Sequence, residues 1–182
     1  MFQKKPFFIL PVFIFGFLIC NAQLEVVYLT FKDFKAFGFG AFFNFIYPVS
    51  DANYFILAGG LQYFKDRDEV GVALVPILAG YRYTFDQSGT GFYVEPNAGY
   101  GIGGSDLERY DKEGNFILDE NGNYTYENPG GLMAGIGLGY LLQPGAGIQL
   151  NIGARYERVF TNGSTNVFSF RISHAFTFGR RN

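Results

Sequence analysis

The stretch F-S-F-R-I-S-H-A-F-T-F, Phe168 to Phe178, decides the fold. Successive side chains of a strand point to opposite faces. Phe168, Phe170, Ile172, Phe176 and Phe178 therefore share one face, while Ser169, Arg171, Ser173, Ala175 and Thr177 share the other. One face suits hydrocarbon and the other carries a charge. Crossing a bilayer as a tilted strand takes roughly 9–11 residues, and this segment is of that length.

The N-terminus supplies the route to a membrane. Lys4 and Lys5 precede an apolar run from Pro6 to Ile19, and Cys20-Asn21-Ala22 offers small side chains where a signal peptidase reads them. The reading is a signal peptide over residues 1–22, cleaved before Gln23. The run is too short for the roughly 17–25 residues of a membrane-spanning helix. A lipid anchor on Cys20 is disfavoured, because Ile19 stands where a small residue normally precedes the modified cysteine. Cleavage removes the only cysteine together with Lys4 and Lys5, leaving 12 basic and 16 acidic residues and no thiol chemistry. That balance is no footprint for nucleic acid. Residues 23–182 fit one domain. Aromatics make up 20% of the chain and there are 25 glycines, a composition that suits strands whose apolar faces meet lipid.

Turn signals divide the rest into eight segments. Gln23–Phe31 is the shortest, followed by Phe34–Tyr47, Tyr54–Phe64, Val70–Phe85, Gly91–Gly103, Gly130–Leu142, Ile148–Glu157 and the closing strand. An even number returns the C-terminus to the side where the chain began. Turns at 48–52, 86–90 and 143–145 then share the periplasmic side, and the longest connection, Ser105–Pro129, falls outside the cell. The fold predicted is all-β, an eight-stranded antiparallel transmembrane barrel in an outer membrane. A soluble lipocalin-like barrel is the inverted alternative, with apolar residues inside.

Glycine rows support a narrow lumen. Gly99, Gly101 and Gly103 alternate with Ala98, Tyr100 and Ile102, and Gly135, Gly137 and Gly139 with Ile136, Leu138 and Tyr140. An eight-stranded barrel is only wide enough to be filled by side chains. The same parity turns Arg82, Glu95, Arg155, Glu157 and Arg171 inward, and buried charges must be paired. These five are read as a lumenal charge network that plugs the barrel and fixes register. Pro76 and Pro96 each mark a missing ladder bond or a bulge.

With V-P-I-L-A-G-Y-R-Y-T-F at Val75–Phe85 and G-F-Y-V-E-P-N-A-G-Y-G at Gly91–Gly101, the chain resembles the small eight-stranded outer-membrane barrels of the OmpA transmembrane-domain and OmpX kind. The closing strand is similar to the barrel-assembly signal of such proteins. Arg171 takes its polar position and Phe176 and Phe178 its apolar and terminal aromatic ones, whereas Ser173 stands in place of the glycine. The resemblance implies outer-membrane lipid and the barrel-assembly machinery as partners. Phe and Tyr serve as girdle residues, since tryptophan is absent.

Two features outside the lumen carry candidate chemistry. The 105–129 loop holds seven carboxylates against Arg109 and Lys112, a net of −5, and contains a near-repeat, Asp111-Lys-Glu-Gly-Asn-Phe then Asp119-Glu-Asn-Gly-Asn-Tyr. Asn-Gly between such flanks signals hairpins. Asp119, Asn121, Asn123 and Glu127 are oxygen ligands at alternating positions, the weak candidates for a metal, but their spacing is not that of an EF-hand. His174, the only histidine, follows Ser173, so the two face opposite ways and cannot share a proton. No cofactor, metal or catalytic residue is expected. The role expected is structural or interactive, with an extracellular partner through the loop. The alternatives are a narrow transporter of small hydrophobic molecules and a lipid-modifying barrel enzyme.

Overall fold

Alternation sets the strands, and hydrogen bonding closes them on one another. The computed structural model describes residues 19–177 other than 88, 112, 146–147 and 162–164. Most of the predicted signal segment and Phe178 of the predicted assembly signal lie outside the described residues. The strands are β1 (Ile19–Phe31), β2 (Phe34–Pro48), β3 (Asn53–Lys65), β4 (Gly71–Thr84), β5 (Gly91–Ser105), β6 (Gly131–Gly145), β7 (Ile148–Phe160) and β8 (Thr165–Thr177). Each pairs antiparallel with its neighbours, and β8 pairs with β1 to close the barrel.

Closure requires strand tilt and a fixed stagger. Following partners from Cys20 through Phe45, Leu57, Ala79, Ala98, Ala134, Arg158 and Asn166 returns to β1 at Thr30. The circuit thus climbs from Cys20 to Thr30, and every strand has partners on both sides. With no sheet edge left, the barrel meets the condition that hydrocarbon imposes on backbone polar groups. β1 begins at Ile19 and not at Gln23, and β7 extends to Phe160, because cross-strand pairing continues through those residues. The prolines mark missing bonds without bulges. Pairing skips from Gly59–Ile77 to Gln62–Leu74 near Pro76, and from Gly80–Asn97 to Tyr83–Val94 near Pro96, with the register unchanged.

The facing is apolar outward. Phe37, Phe39, Phe43, Leu61, Ile102, Leu138, Phe168, Phe170 and Ile172 are exposed, whereas Ser169, Arg171 and Ser173 between them on β8 are buried. A soluble barrel with an apolar interior and polar exterior is thereby excluded. The interior is layered. Towards the end bearing the long β5–β6 connection, Leu29, Phe31, Phe64, Val72, Leu74, Met133, Val159 and Val167 form a packed apolar plug. Below it the buried polar and charged side chains are interleaved with Phe42, Ala58 and Leu78, and Ile46 and Ile56 lie near the short-turn end.

Phe170 sits mid-strand on the outer face. Phe170→Arg is expected to destabilise the barrel by about 2–4 kcal/mol, the range for Arg at a bilayer midplane. Phe170→Tyr should change little. Urea titration of protein refolded into vesicles measures both, and equal stability of the two variants would remove Phe170 from the lipid face.

Candidate functional site

The inward row of each strand assembles the lumen, and five of its charges were visible in the sequence. Glu95 on β5 sits between two guanidinium groups. Arg82 Nε donates to Glu95 Oε2 at 2.7 Å, and Arg171 Nη1 to Oε1 at 2.9 Å. Arg171 Nη2 also donates to the Tyr93 hydroxyl at 2.9 Å, which in turn donates to Asn151 Oδ1 at 2.8 Å. The Arg82 guanidinium carbon lies 4.4 Å from the centre of the Tyr93 ring, a cation–π contact in a desolvated setting. Arg155 and Glu157 form a second group, with Arg155 Nε 3.2 Å from Glu157 Oε1.

That second group depends on Glu25, which the sequence reading left out. Arg155 Nη2 donates to Glu25 Oε1 at 2.9 Å, Gln62 Nε2 donates to Oε2 at 3.1 Å, and Gln23 Nε2 also reaches Oε1. Asn44 Nδ2 donates to Gln23 Oε1 at 3.0 Å. Three inward arginines therefore face three inward carboxylates. The signal was present in the imbalance of three cations against two anions, since buried charge must be compensated. Glu25 has inward parity on β1, the strand with the poorest alternation.

Glycine makes this packing sterically feasible. A Cβ at Gly137 would lie 2.8 Å from Arg171 Nη2, and one at Gly139 would collide with the Tyr93 hydroxyl oxygen. These two positions on β6 leave room for long polar chains arriving from β8 and β5.

The long connection is more ordered than two hairpin turns. It consists of three eight-residue units, 107–114, 115–122 and 123–130, of which the third is too degenerate to stand out in the sequence. Ile117 N donates to Arg109 O, Thr125 N to Ile117 O and Arg109 N to Thr125 O, at 2.9, 3.0 and 2.9 Å. Equivalent positions eight residues apart thus bond in a closed ring. Each of the first two units ends in a turn that its aspartate organises. Asp111 Oδ1 accepts from Glu113 N and Asn115 N, and Asp119 Oδ1 from Asn121 N and Asn123 N. Gly114 and Gly122 close these turns with φ of 85° and 82°, a left-handed backbone that costs glycine nothing in sterics.

The third unit departs from the pattern. Glu127 replaces the aspartate, and Asn128 Oδ1 accepts from Gly130 N instead. The longer Glu127 side chain reaches across the barrel rim to pair with Lys32 Nζ. Lys32 occupies the tight β1–β2 turn at a φ of 51°. Asp106 N donates to Gly71 O and Ser105 Oγ donates to Glu127 O, so the loop is tied to the rim at several points. Above the rim, Tyr110, Phe116, Leu118, Tyr124 and Tyr126 remain exposed, with ring centres 4.8 Å apart for Tyr110–Phe116 and 5.0 Å for Phe116–Tyr124.

Of the metal candidates, Asp119 and Asn123 meet within one turn, the Asn123 side-chain amide donating to Asp119 Oδ2 at 3.2 Å, but Glu127 is directed elsewhere. Asp119 spends its carboxylate on turn amides and Glu127 on Lys32, while the Asn121 and Asn123 backbones serve the Asp119 turn. Among the described residues no group of three or more His, Cys, Asp or Glu forms a metal cluster. Ser173 is buried in the lumen, whereas His174 is half-buried on the outward face between Ala22 and Leu150. Arg171 of the predicted assembly signal lies in the charge network, and Phe176 pairs with Cys20.

Neisserial surface protein A adopts the same architecture, with a TM-score of 0.68 at 14% identity over 88% of this chain and 97% of that one. This chain has the fold of the small eight-stranded outer-membrane barrels. Ail, the attachment invasion locus protein of Yersinia pestis, matches with a TM-score of 0.58 at 12% identity, covering 87% of this chain and 97% of Ail. A second Ail structure, in complex with the heparin analogue sucrose octasulfate, matches with a TM-score of 0.55 at 13% identity over the same shares. No protein-family model matches the sequence, and no curated protein matches it.

Removing one partner of a buried ion pair typically destabilises by about 3–5 kcal/mol. Glu95→Ala is expected to fall in that range, because it strands both Arg82 and Arg171. Arg171→Met should then cost less in the Glu95→Ala background than alone, which a double-mutant cycle by urea titration checks; additivity would show that the pair is not coupled.

The loop should respond to acid separately. The Asn115 backbone N–H foremost, then the Asn115 side chain, holds the Asp111 carboxyl below its ordinary value, and Asn123 does the same for Asp119. A folded-state pKa below the unfolded one means that the stabilisation is present above the unfolded pKa and lost as pH falls through the folded one. Amide NMR signals of Glu113, Asn115, Asn121 and Asn123 should therefore hold from neutral pH down to the ordinary aspartate value of about 3.9 and shift only below it. Shifts beginning above that point would contradict the turn assignment.

Proposed function

We propose that this protein is an integral outer-membrane barrel with a structural and surface-interaction role, in which a filled barrel carries an external three-unit loop towards ligands or partners. The observation behind this reading is the combination of a lumen closed by an apolar plug over paired charges with an ordered, aromatic-bearing loop latched to the rim through Lys32 and Glu127. A lumen so filled favours anchoring over transport. That Ail was solved in complex with a heparin analogue supports the idea that a barrel of this size binds a ligand. The opposite facing of Ser173 and His174 argues against a lipid-modifying enzyme.

Residues 1–22 are read as a cleaved signal peptide, which leaves Gln23–Phe31 of β1 to pair with β2 and β8. Nine residues meet the roughly 9–11 that a tilted strand needs. Outer-membrane lipid then surrounds the Phe- and Tyr-rich exterior, and the barrel-assembly machinery inserts the chain through the closing strand, with Arg171, Phe176 and Phe178 as its signal. The short turns face the periplasm and the 105–129 loop the exterior.

The test is fractionation of producing cells with a heat-modifiable gel shift, N-terminal sequencing of the mature band, and protease treatment of intact cells. The expected result is an outer-membrane band that begins at Gln23, migrates faster unheated, and is cut in the long loop from outside. Recovery as a soluble periplasmic protein, or a loop cut only after the outer membrane is breached, would overturn the reading.

A further inference from the structure

We propose that the cleft between the barrel rim and the three-unit loop binds a saccharide bearing a single carboxylate, with Arg109 as the anion-binding residue and Tyr110 and Tyr126 as the walls for the sugar ring. This inference rests on the extracellular placement of the loop proposed above.

The cleft has a volume of about 490 Å³ and is lined by Lys32, Arg109, Tyr110, Tyr126, Glu127 and Thr161 among others. Ligand sites commonly enclose roughly 300–1,000 Å³. It exists because of the departure in the third repeat unit. The aspartates of the first two units are consumed by their own turns, whereas Glu127 is released to clasp Lys32, which draws the loop over the rim and sets Tyr110 and Tyr126 around the gap.

The chemistry of the lining is specific. Lys32 is neutralised by Glu127, so the charge left over belongs to Arg109, whose guanidinium has no ion-pair partner among the described residues. A guanidinium binds a carboxylate bidentately and with fixed geometry. Asn128, also in the lining, brings an amide to sugar hydroxyls, and two tyrosine faces suit the apolar face of a pyranose. The surrounding loop bears a net charge of −5. That field repels a polyanion several times more strongly than a ligand with one negative charge, which separates this cleft from a site for a heavily sulfated molecule.

Two sources offer such a sugar: carboxylated core sugars of lipopolysaccharide in the same membrane, or a free glycan from outside. The experiment uses the mature full-length chain, labelled with ¹⁵N and refolded into nanodiscs with or without lipopolysaccharide. The probes are sialyllactose, lactose and sucrose octasulfate. In nanodiscs without lipopolysaccharide, sialyllactose should shift the amides of Lys32, Arg109, Tyr126 and Thr161, with lactose and sucrose octasulfate at least tenfold weaker. Arg109→Gln should weaken sialyllactose binding about tenfold or more, Arg109→Lys should restore part of it, and Glu120→Gln, in the second turn and outside the lining, should leave it unchanged. Both Arg109 variants are exposed loop changes, and the heat-modifiable gel shift verifies that they fold.

If lipopolysaccharide alone produces the same shifts and blocks sialyllactose, the carboxylated saccharide is the membrane's own; if it does not, the ligand comes from outside. Either result supports the site. Equal binding of lactose, stronger binding of sucrose octasulfate, no binding of any probe, or an Arg109→Gln variant that binds normally would overturn it. Surface cleavage of the loop in intact cells together with failed binding defeats this inference alone. Absence of the loop from the cell surface defeats the reading beneath it.

Discussion

Closure of the hydrogen-bond ladder governs everything else in this molecule. Hydrocarbon offers no partner for a backbone N–H or C=O, so a strand can cross only if both of its edges are occupied. Eight strands joined from β1 round to β8 achieve this, and the stagger from Cys20 to Thr30 comes with the closure. The consequence is a narrow interior. What fills it then decides how stable and how permeable the barrel is.

The interior is filled in two chemically distinct ways. Near the long-loop end, Leu29, Phe31, Phe64, Leu74 and Val159 pack as in a soluble core. Below them, charges from five strands form two linked groups around Glu95 and Glu25. Desolvation makes each charge costly alone, and only near-complete pairing offsets that cost. The small residues at Gly137 and Gly139 are the steric condition for the pairing, because Arg171 and Tyr93 occupy the space that a Cβ would take. Electrostatics and glycine placement are therefore one feature seen from two sides.

The loop repeats the theme of local pattern serving long-range closure. Two units use aspartate to organise their own turns, and the third substitutes a longer acid that reaches a lysine on the opposite side of the rim. A one-carbon difference between Asp119 and Glu127 accompanies the change from a self-contained turn to a latch. Glu127 and Lys32 are 95 residues apart in the chain, so the latch exists only once β1 and β5 are held in the same barrel.

Much of the fold was legible in the sequence because it is written in a local code. A period of two over Phe168–Phe178, or over Phe37–Phe45, reports which face meets lipid without knowledge of any partner strand. Turn residues report where strands stop, and parity reports on which side they stop. The eight strands and the inward facing of Arg82, Glu95, Arg155, Glu157 and Arg171 follow from that code. Pairings do not. Glu25 meets Arg155, and Arg171 meets both Glu95 and Tyr93, through a register set by closure of the whole sheet. The apolar plug, the third loop unit and the cleft at the rim were likewise invisible along the chain. The third unit is hidden by its degenerate residues, whereas the plug and the cleft are contacts between segments distant in sequence, and in a closed barrel distance in sequence is erased only by the tertiary structure.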